Sequence, residues 1–295
     1  MELLQLQYFR TVARMEHMTR AAQELRIAQP ALSKTIARLE DDVGVPLFDR
    51  QNGRIRLNAF GRAFLHKVDA ALTLLEEAKQ EVAELAGLEQ GSIRISTSTL
   101  TVLTEPIREF LNLHPNVNMQ ITHVSSQEEM AASIESGEAD IGFSVMPADG
   151  DGVAQARVMS EELFLVVPRK HRLAKRTAVR LADAAGEPFV GYKEGFVVQE
   201  TNEALFRQAG IAPRIVCRVD EPAAILSLVR AGLGVALFGC VSPDDPELVY
   251  LPIERPVCRR DYWLVWTERR YLSLAARKFI EFVIHHFTEE SRSAG

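Results

Sequence analysis

The sequence has little cysteine, little tryptophan and no long apolar run. Its 295 residues include three cysteines, Cys217, Cys240 and Cys258, and two tryptophans. An odd cysteine count with no C-x-x-C argues against a disulfide framework or a zinc site. The thiols are expected to be reduced and to pack as small hydrophobes. No stretch approaches the ~18 uninterrupted apolar residues of a membrane span, so no membrane partner is expected. The opening MELLQLQYFRTVAR lacks the basic, apolar, small-residue order of a signal peptide, and the expected location is the cytoplasm. Catalytic motifs are missing as well: there is no G-x-S-x-G, no phosphate-binding glycine loop and no H-E-x-x-H. Gly232 and Gly234 lack the rest of a dinucleotide fingerprint and read as a helix C-cap and the start of a strand. His285 and His286, the only adjacent pair among seven histidines, read as a solvated face of the last helix. The chain is not expected to be an enzyme, and no cofactor or metal is expected.

What is present suits a globular chain of roughly two domains, 47% apolar and 25% charged. The net charge of −6 is unevenly spread. Residues 1–58 carry nine Lys/Arg against seven Asp/Glu, a net of +2; the remainder carries 25 against 33, a net of −8. A mildly basic head on an acidic body hints at different partners for the two.

Residues 19–40, TRAAQELRIAQPALSKTIARLE, hold two helical patterns with Pro30 between them. A proline is welcome in a helix's first turn, where its missing N–H would have no partner anyway. Pro30 therefore opens a second helix, expected over about residues 29–40, and the first runs over about 20–25 with the Thr19 hydroxyl as N-cap. Two helices joined by so short a turn cross steeply, as in a helix-turn-helix. Ala31, Leu32, Thr35, Ile36 and Leu39 point inward or to the flanks. Gln29, Ser33, Lys34 and Arg38 stay outside, and no acidic residue falls from Gln29 to Leu39. Such a helix can enter a major groove; an amphipathic surface helix with solvated polar residues is the plainer alternative. Beyond it, Asn52-Gly53 signals a tight hairpin, and Ile55 and Leu57 alternate with Arg54 and Arg56. That is a wing whose Arg50, Arg54 and Arg56 suit a phosphate backbone or a minor groove, or else are solvated strand edges.

These residues resemble the DNA-binding domain of LysR-type transcriptional regulators. The likeness rests on Ala21-Ala22, Leu25, Gln29-Pro30-Ala31, Leu32-Ser33, Ile36, Leu39-Glu40, Gly44, Leu47-Phe48, Arg50, Leu57 and Gly61. Ala28 stands where serine is usual, removing a helix cap or a phosphate hydroxyl. Asn58 replaces threonine and can still cap the next helix. The resemblance implies that Thr19, Gln29, Pro30, Ser33, Lys34, Arg38, Arg50 and Arg54 meet double-stranded operator DNA with dyad symmetry. It also implies dimers through a linker helix, tetramers through the effector domains, and RNA polymerase as a further partner.

Phe60, Phe64, Val68, Ala71, Leu72, Leu75, Ala78, Val82 and Leu85 form one apolar stripe on a helix about 40 Å long. That is too long for a small winged head to bury, and a second copy can cover the rest; packing within its own chain is the alternative. Gly87 and Gly91 read as the hinge to the body. There, strand and helix patterns alternate twice, which implies mostly parallel sheets in two α/β subdomains with a cleft between them. The body resembles the effector-binding domain of the same family, itself similar to periplasmic solute-binding proteins, and KEGFVVQE (193–200) is similar to regulators of glutamate synthase expression.

The expected fold is therefore α/β with an N-terminal winged helix-turn-helix, a long linker helix and a two-subdomain periplasmic-binding-protein-like effector domain. The expected domains are 1–58 for DNA, 59–88 for the linker and 89–295 for the effector. Subdomain I covers about 89–165 and 267–295, and subdomain II about 166–266. Phe238-Gly239 stands where the family has a proline, which changes one wall of the cleft. Ligands of open α/β sheets sit at the carboxyl ends of strands, and helix N-termini there favour anions. A small carboxylate effector is expected among Thr97, Ser98, Thr99, Leu100, Ser126, Gln127, Gly195 and Phe196, although hydroxyls at such ends also cap helices and shape turns. A transport solute-binding protein and an α/β enzyme with a helical appendage remain the competing classes.

Overall fold

A computed structural model describes residues 1–51, 54–85, 91–239 and 245–293. Asn52, Gly53, Gly87 and Cys240, which carry expectations above, lie outside the described residues. The chain forms two compact units, one built on residues 1–89 and the other on 90–134 and 139–295.

The first unit contains α1 (Leu3–Met15), α2 (Met18–Glu24), α3 (Gln29–Val43), the strands β1 (Phe48–Gln51) and β2 (Arg54–Leu57), and α4 (Ala59–Leu85). Leu32, Ile36 and Leu39 recur at helical spacing and are fully buried against Phe9, Val12, Ala21 and Ala22. Between α2 and α3 the chain turns through Arg26 in the left-handed region, and α3 begins with Pro30 in its first turn. Two expectations need correction. Helix α2 starts earlier, at Met18, and its N-cap is His17, whose ring accepts the Arg20 N–H, so Thr19 is a helical residue and not the cap. Ala31, expected inward or at the flank, is exposed.

Two carboxylates tie the wing to the helices. Glu40 Oε1 accepts the backbone N–H groups of Leu47 at 2.8 Å and Phe48 at 3.2 Å, and Glu16 Oε1 accepts that of Leu57 at 2.8 Å. Asn58 caps α4, its Oδ1 accepting the Gly61 N–H at 2.8 Å. A Cβ at Gly61 would overlap the Leu47 carbonyl, so only glycine fits where α4 passes the strand.

On α4 the expected single stripe divides in two. Phe64, Val68 and Leu72 pack into the winged core. Ala71, Leu74, Leu75, Ala78 and Val82, at steps of three and four, are exposed instead.

The second unit opens with β3 (Ser92–Thr97), α5 (Thr104–Leu113), β4 (Asn118–His123), α6 (Gln127–Ser136) and β5 (Ile141–Ser144). Strands β4, β3 and β5 are parallel neighbours. The long β6 (Val153–Pro168) leads to β7 (Val179–Arg180), β8 (Pro188–Tyr192), α7 (Val197–Gln208), β9 (Arg214–Val219), α8 (Pro222–Arg230), β10 (Ala236–Gly239) and β11 (Leu248–Arg255). The return is β12 (Arg259–Thr267), and α9 (Leu274–Ser293) packs back on the first half.

The sheet is mixed, which corrects the expectation of mostly parallel pairing. β12 runs antiparallel to both β5 and β6, and β6 also pairs antiparallel with β10 and β11. Both crossing strands belong to the shared sheet, so the two α/β halves are joined by a hydrogen-bonded ladder. Gly234 lets the approach to β10 lie against the Pro188 carbonyl, where a Cβ would clash. On α9, His285 is exposed as expected, but His286 is half-buried beside Glu109, with Nδ1 to Oε2 at 3.1 Å.

Candidate functional site

One candidate surface lies on α3. Its buried edge leaves Gln29, Pro30, Lys34 and Arg38 exposed and Ser33 half-exposed. Ala28 is the N-cap and offers no side-chain acceptor. Thr19 is exposed on α2. Arg50 and Arg54 lie on β1 and β2, in register with Ile55 and Gln51, and Arg56 pairs across from Asp49. A neutral-to-basic helix face beside arginine-bearing strands can meet phosphates and base edges without like-charge repulsion.

The second candidate is the region of the second unit where strands of both halves end. Thr97, His123 and Ser144 end β3, β4 and β5; Tyr192 and Val219 end β8 and β9. At the lip beside these ends the halves are in contact: the Val197 N–H, in the first turn of α7, donates to the Ser125 carbonyl at 3.0 Å. Beside it the rings of Phe196 and His123 are 6.2 Å apart. Gly195 takes a φ of 83° in the turn before α7, a conformation glycine adopts without strain.

Several expected effector residues have local duties. Thr97 Oγ1 donates to the Thr99 carbonyl at 2.8 Å and accepts the Thr99 N–H at 3.0 Å. Ser126 Oγ accepts the Glu129 N–H at the start of α6. Gln127 gives Nε2 to the Pro147 carbonyl at 2.9 Å and takes the Ser144 hydroxyl on Oε1 at 3.2 Å. Ser98 differs: it is buried and its Oγ has no partner among the described residues. Thr99 is half-exposed and Leu100 is exposed.

Sequence reasoning missed a polar cluster on the crossing strands. Arg260 of β12 and Glu161 of β6 are register partners. The Tyr262 hydroxyl donates to Glu161 Oε2 at 2.6 Å, and Arg260 Nη2 donates to Asn202 Oδ1 of α7 at 2.9 Å. Burial pushes the Tyr192 phenol up to about 12 and raises that of Tyr262 as well, so this is a poorly solvated place. One signal was available in RRDYWLVWT: Arg260 shares the phase of Tyr262 and Leu264, which is the buried phase of the strand.

Comparison with known proteins covers both units. Residues 3–62 match the bacterial regulatory helix-turn-helix protein, lysR family, and residues 86–288 match the LysR substrate binding domain. An uncharacterised HTH-type transcriptional regulator of Bacillus subtilis (strain 168), YybE, is 36% identical over 293 residues, spanning 98% of this chain and all of its own. The transcriptional dual regulator GltC of the same organism is 32% identical and covers 98% of each chain. Among solved structures, full-length CbnR complexed with its target DNA is 26% identical, with a TM-score of 0.74 over 96% of this chain and 99% of that one.

Proposed function

The chain belongs to the LysR family of transcriptional regulators, a family of DNA-binding proteins and not of enzymes, and from that premise we propose which residues read DNA and which sense the effector. The DNA reading rests on one observation: Leu32, Ile36 and Leu39 bury one edge of α3 while Gln29, Pro30, Lys34 and Arg38 stay in solvent. With Ser33 these form the reading surface, Arg50 and Arg54 of the wing meet the backbone, and Thr19 flanks them. DNA binding belongs to residues 1–58, pairing to the helix of 59–88, and sensing to 89–295, with the subdomains exchanging near residues 166 and 266. The exposed face of α4 supports a dimer, which presents two winged heads to an operator with dyad symmetry; tetramers and a contact to RNA polymerase complete the reading. No helix among the described residues is long and apolar enough to cross a membrane, and the cytoplasm is the proposed site of action.

The effector is a small carboxylate held between residues 97–100, Ser126, Gln127, Gly195 and Phe196. The support is positional: these residues stand at the carboxyl ends of strands in both halves, where ligands of open α/β sheets bind. Binding there favours one relative placement of the halves, and a ligand shifts an equilibrium only by its differential affinity for the two states. Footprinting the chain's own upstream DNA with and without candidate metabolites tests the reading. Thr99→Val and Phe196→Ala should abolish the metabolite's influence on the footprint and leave basal affinity nearly intact. A full response in both variants would place sensing elsewhere.

A further inference from the structure

Arg260 is 6% exposed, and a buried guanidinium is costly unless its N–H groups and its charge are well matched. Here the match is incomplete. Its counter-ion Glu161 stands with Oε2 at 3.9 Å from Nη1, outside hydrogen-bond range, and that oxygen already accepts the Tyr262 hydroxyl. Nη2 reaches Asn202, the Tyr262 hydroxyl is a further hydrogen-bonding neighbour of the guanidinium, and Nε has no partner among the described residues. Glu161 is also held open on one side by sequence: its carboxylate occupies the space a Cβ at Gly239 would fill.

The cluster lies within reach of both halves. On one side Asn202 belongs to α7, the helix whose first turn forms the lip. On the other, the Tyr262 ring stacks on Phe143 with centroids 5.4 Å apart, and Phe143 is the register partner of Thr97. Ser98, next to Thr97, also has a buried hydroxyl with no partner among the described residues.

We infer that Arg260 and Glu161 form the floor of the effector cleft, a subsite for an α-hydroxy or α-amino acid. The effector's carboxylate is received by the Arg260 guanidinium, whose planar fork matches a carboxylate. The adjacent hydroxyl or ammonium is received by Glu161. A cation and an anion side by side select a molecule with an acid and a hydrogen-bond donor on neighbouring atoms. A plain carboxylate leaves Glu161 with a desolvated oxygen and no new donor. This assignment rests on the cleft being the sensing site.

The test is a thermal-shift and calorimetric titration of the full-length protein at millimolar ligand. The probes are L-malate and L-aspartate against succinate, citrate against tricarballylate, and L-lactate against propionate. At least one hydroxy or amino acid should bind more tightly than its counterpart without the donor. R260M should weaken that binding at least about tenfold, the scale of one charge-assisted hydrogen bond, and E161Q should erase the preference between the paired acids. Should R260M fail to fold, R260M/E161Q replaces it, since removing both charges of a buried pair is often tolerated. Binding unchanged in R260M or in the double variant, or no stabilisation by any hydroxy or amino acid, overturns the subsite. Thr99→Val separates the two readings: its loss of binding with R260M intact leaves the cleft standing without this floor, and no loss in either removes both.

Discussion

The carboxylate of Glu161 occupies the position that a β-carbon at residue 239 would take. Gly239 ends β10, and Glu161 stands on β6 two residues before the Leu163 that pairs with Gly239. An alanine at 239 should push the flexible Glu161 side chain aside and break its 2.6 Å hydrogen bond with Tyr262. The expected cost of Gly239→Ala is about 1–2 kcal/mol. In an Glu161→Ala background the same change should cost close to nothing, and a double-mutant cycle by urea denaturation reads the difference. Equal costs in both backgrounds would show that the backbone, and not the carboxylate, demands the glycine.

The α3 surface makes a separable pair of predictions. If Gln29 reads a base edge as proposed, Gln29→Ala should cost ~1–3 kcal/mol at the cognate operator and little on unrelated DNA. Lys34→Ala should weaken both alike and lower the salt slope of binding by about one, the signature of a lost phosphate contact. Gel shifts across a salt series measure all of these. Unchanged operator affinity in Lys34→Ala and Arg38→Ala together would remove α3 from the groove.

The winged head was legible because its physics is local. Pro30 marks a helix start, Asn58 caps a helix, and Leu32, Ile36 and Leu39 carry one period. Thr19 misled because a hydroxyl is a good cap wherever a helix begins, and His17 begins this one two residues earlier. The mixed sheet was illegible for a different reason: β6 and β12 pair across about a hundred residues of chain, and strand patterns carry no direction. The hydroxyls at the strand ends are legible in the sequence, and several of them cap helices and turns. The pairing of Glu161 with Arg260 is not, because the two meet only once β6 and β12 are in register.

Acid stability should depend on Asp245. Its hydrogen bond with Arg230, at 2.8 Å to Nη2, and the N–H groups of Glu247 and Leu248 hold its carboxyl below the ordinary range. A depressed carboxylate stabilises the fold above its unfolded value of 3.8, and that contribution is lost as pH falls through the folded value. Removing the guanidinium raises the folded value, so Arg230→Met should move acid unfolding to higher pH, with the gap from wild type narrowing again at the acid limit. Circular dichroism along a pH titration reads the midpoint. A midpoint that does not move would mean the pair is as strong in the unfolded chain.

The divided stripe on α4 makes the last prediction. Leu72 faces the winged core, whereas Leu75 is 46% and Val82 65% exposed in the single chain, with Leu74 beside them. A run of large apolar side chains on one exposed helix face is the mark of an interface, and a second α4 matches it in length and spacing. Leu75→Glu puts a carboxylate into that seam, where an unpaired charge is expensive to desolvate. Because Leu75 is already exposed in one chain, the winged head should keep its melting temperature while light scattering shows monomers at concentrations where the wild type is paired. Affinity for a full operator should then fall towards that for a single half-site, since two linked heads gain from effective concentration and one head does not. A variant of unchanged mass would mean that the outward face of α4 is covered by something other than its own copy.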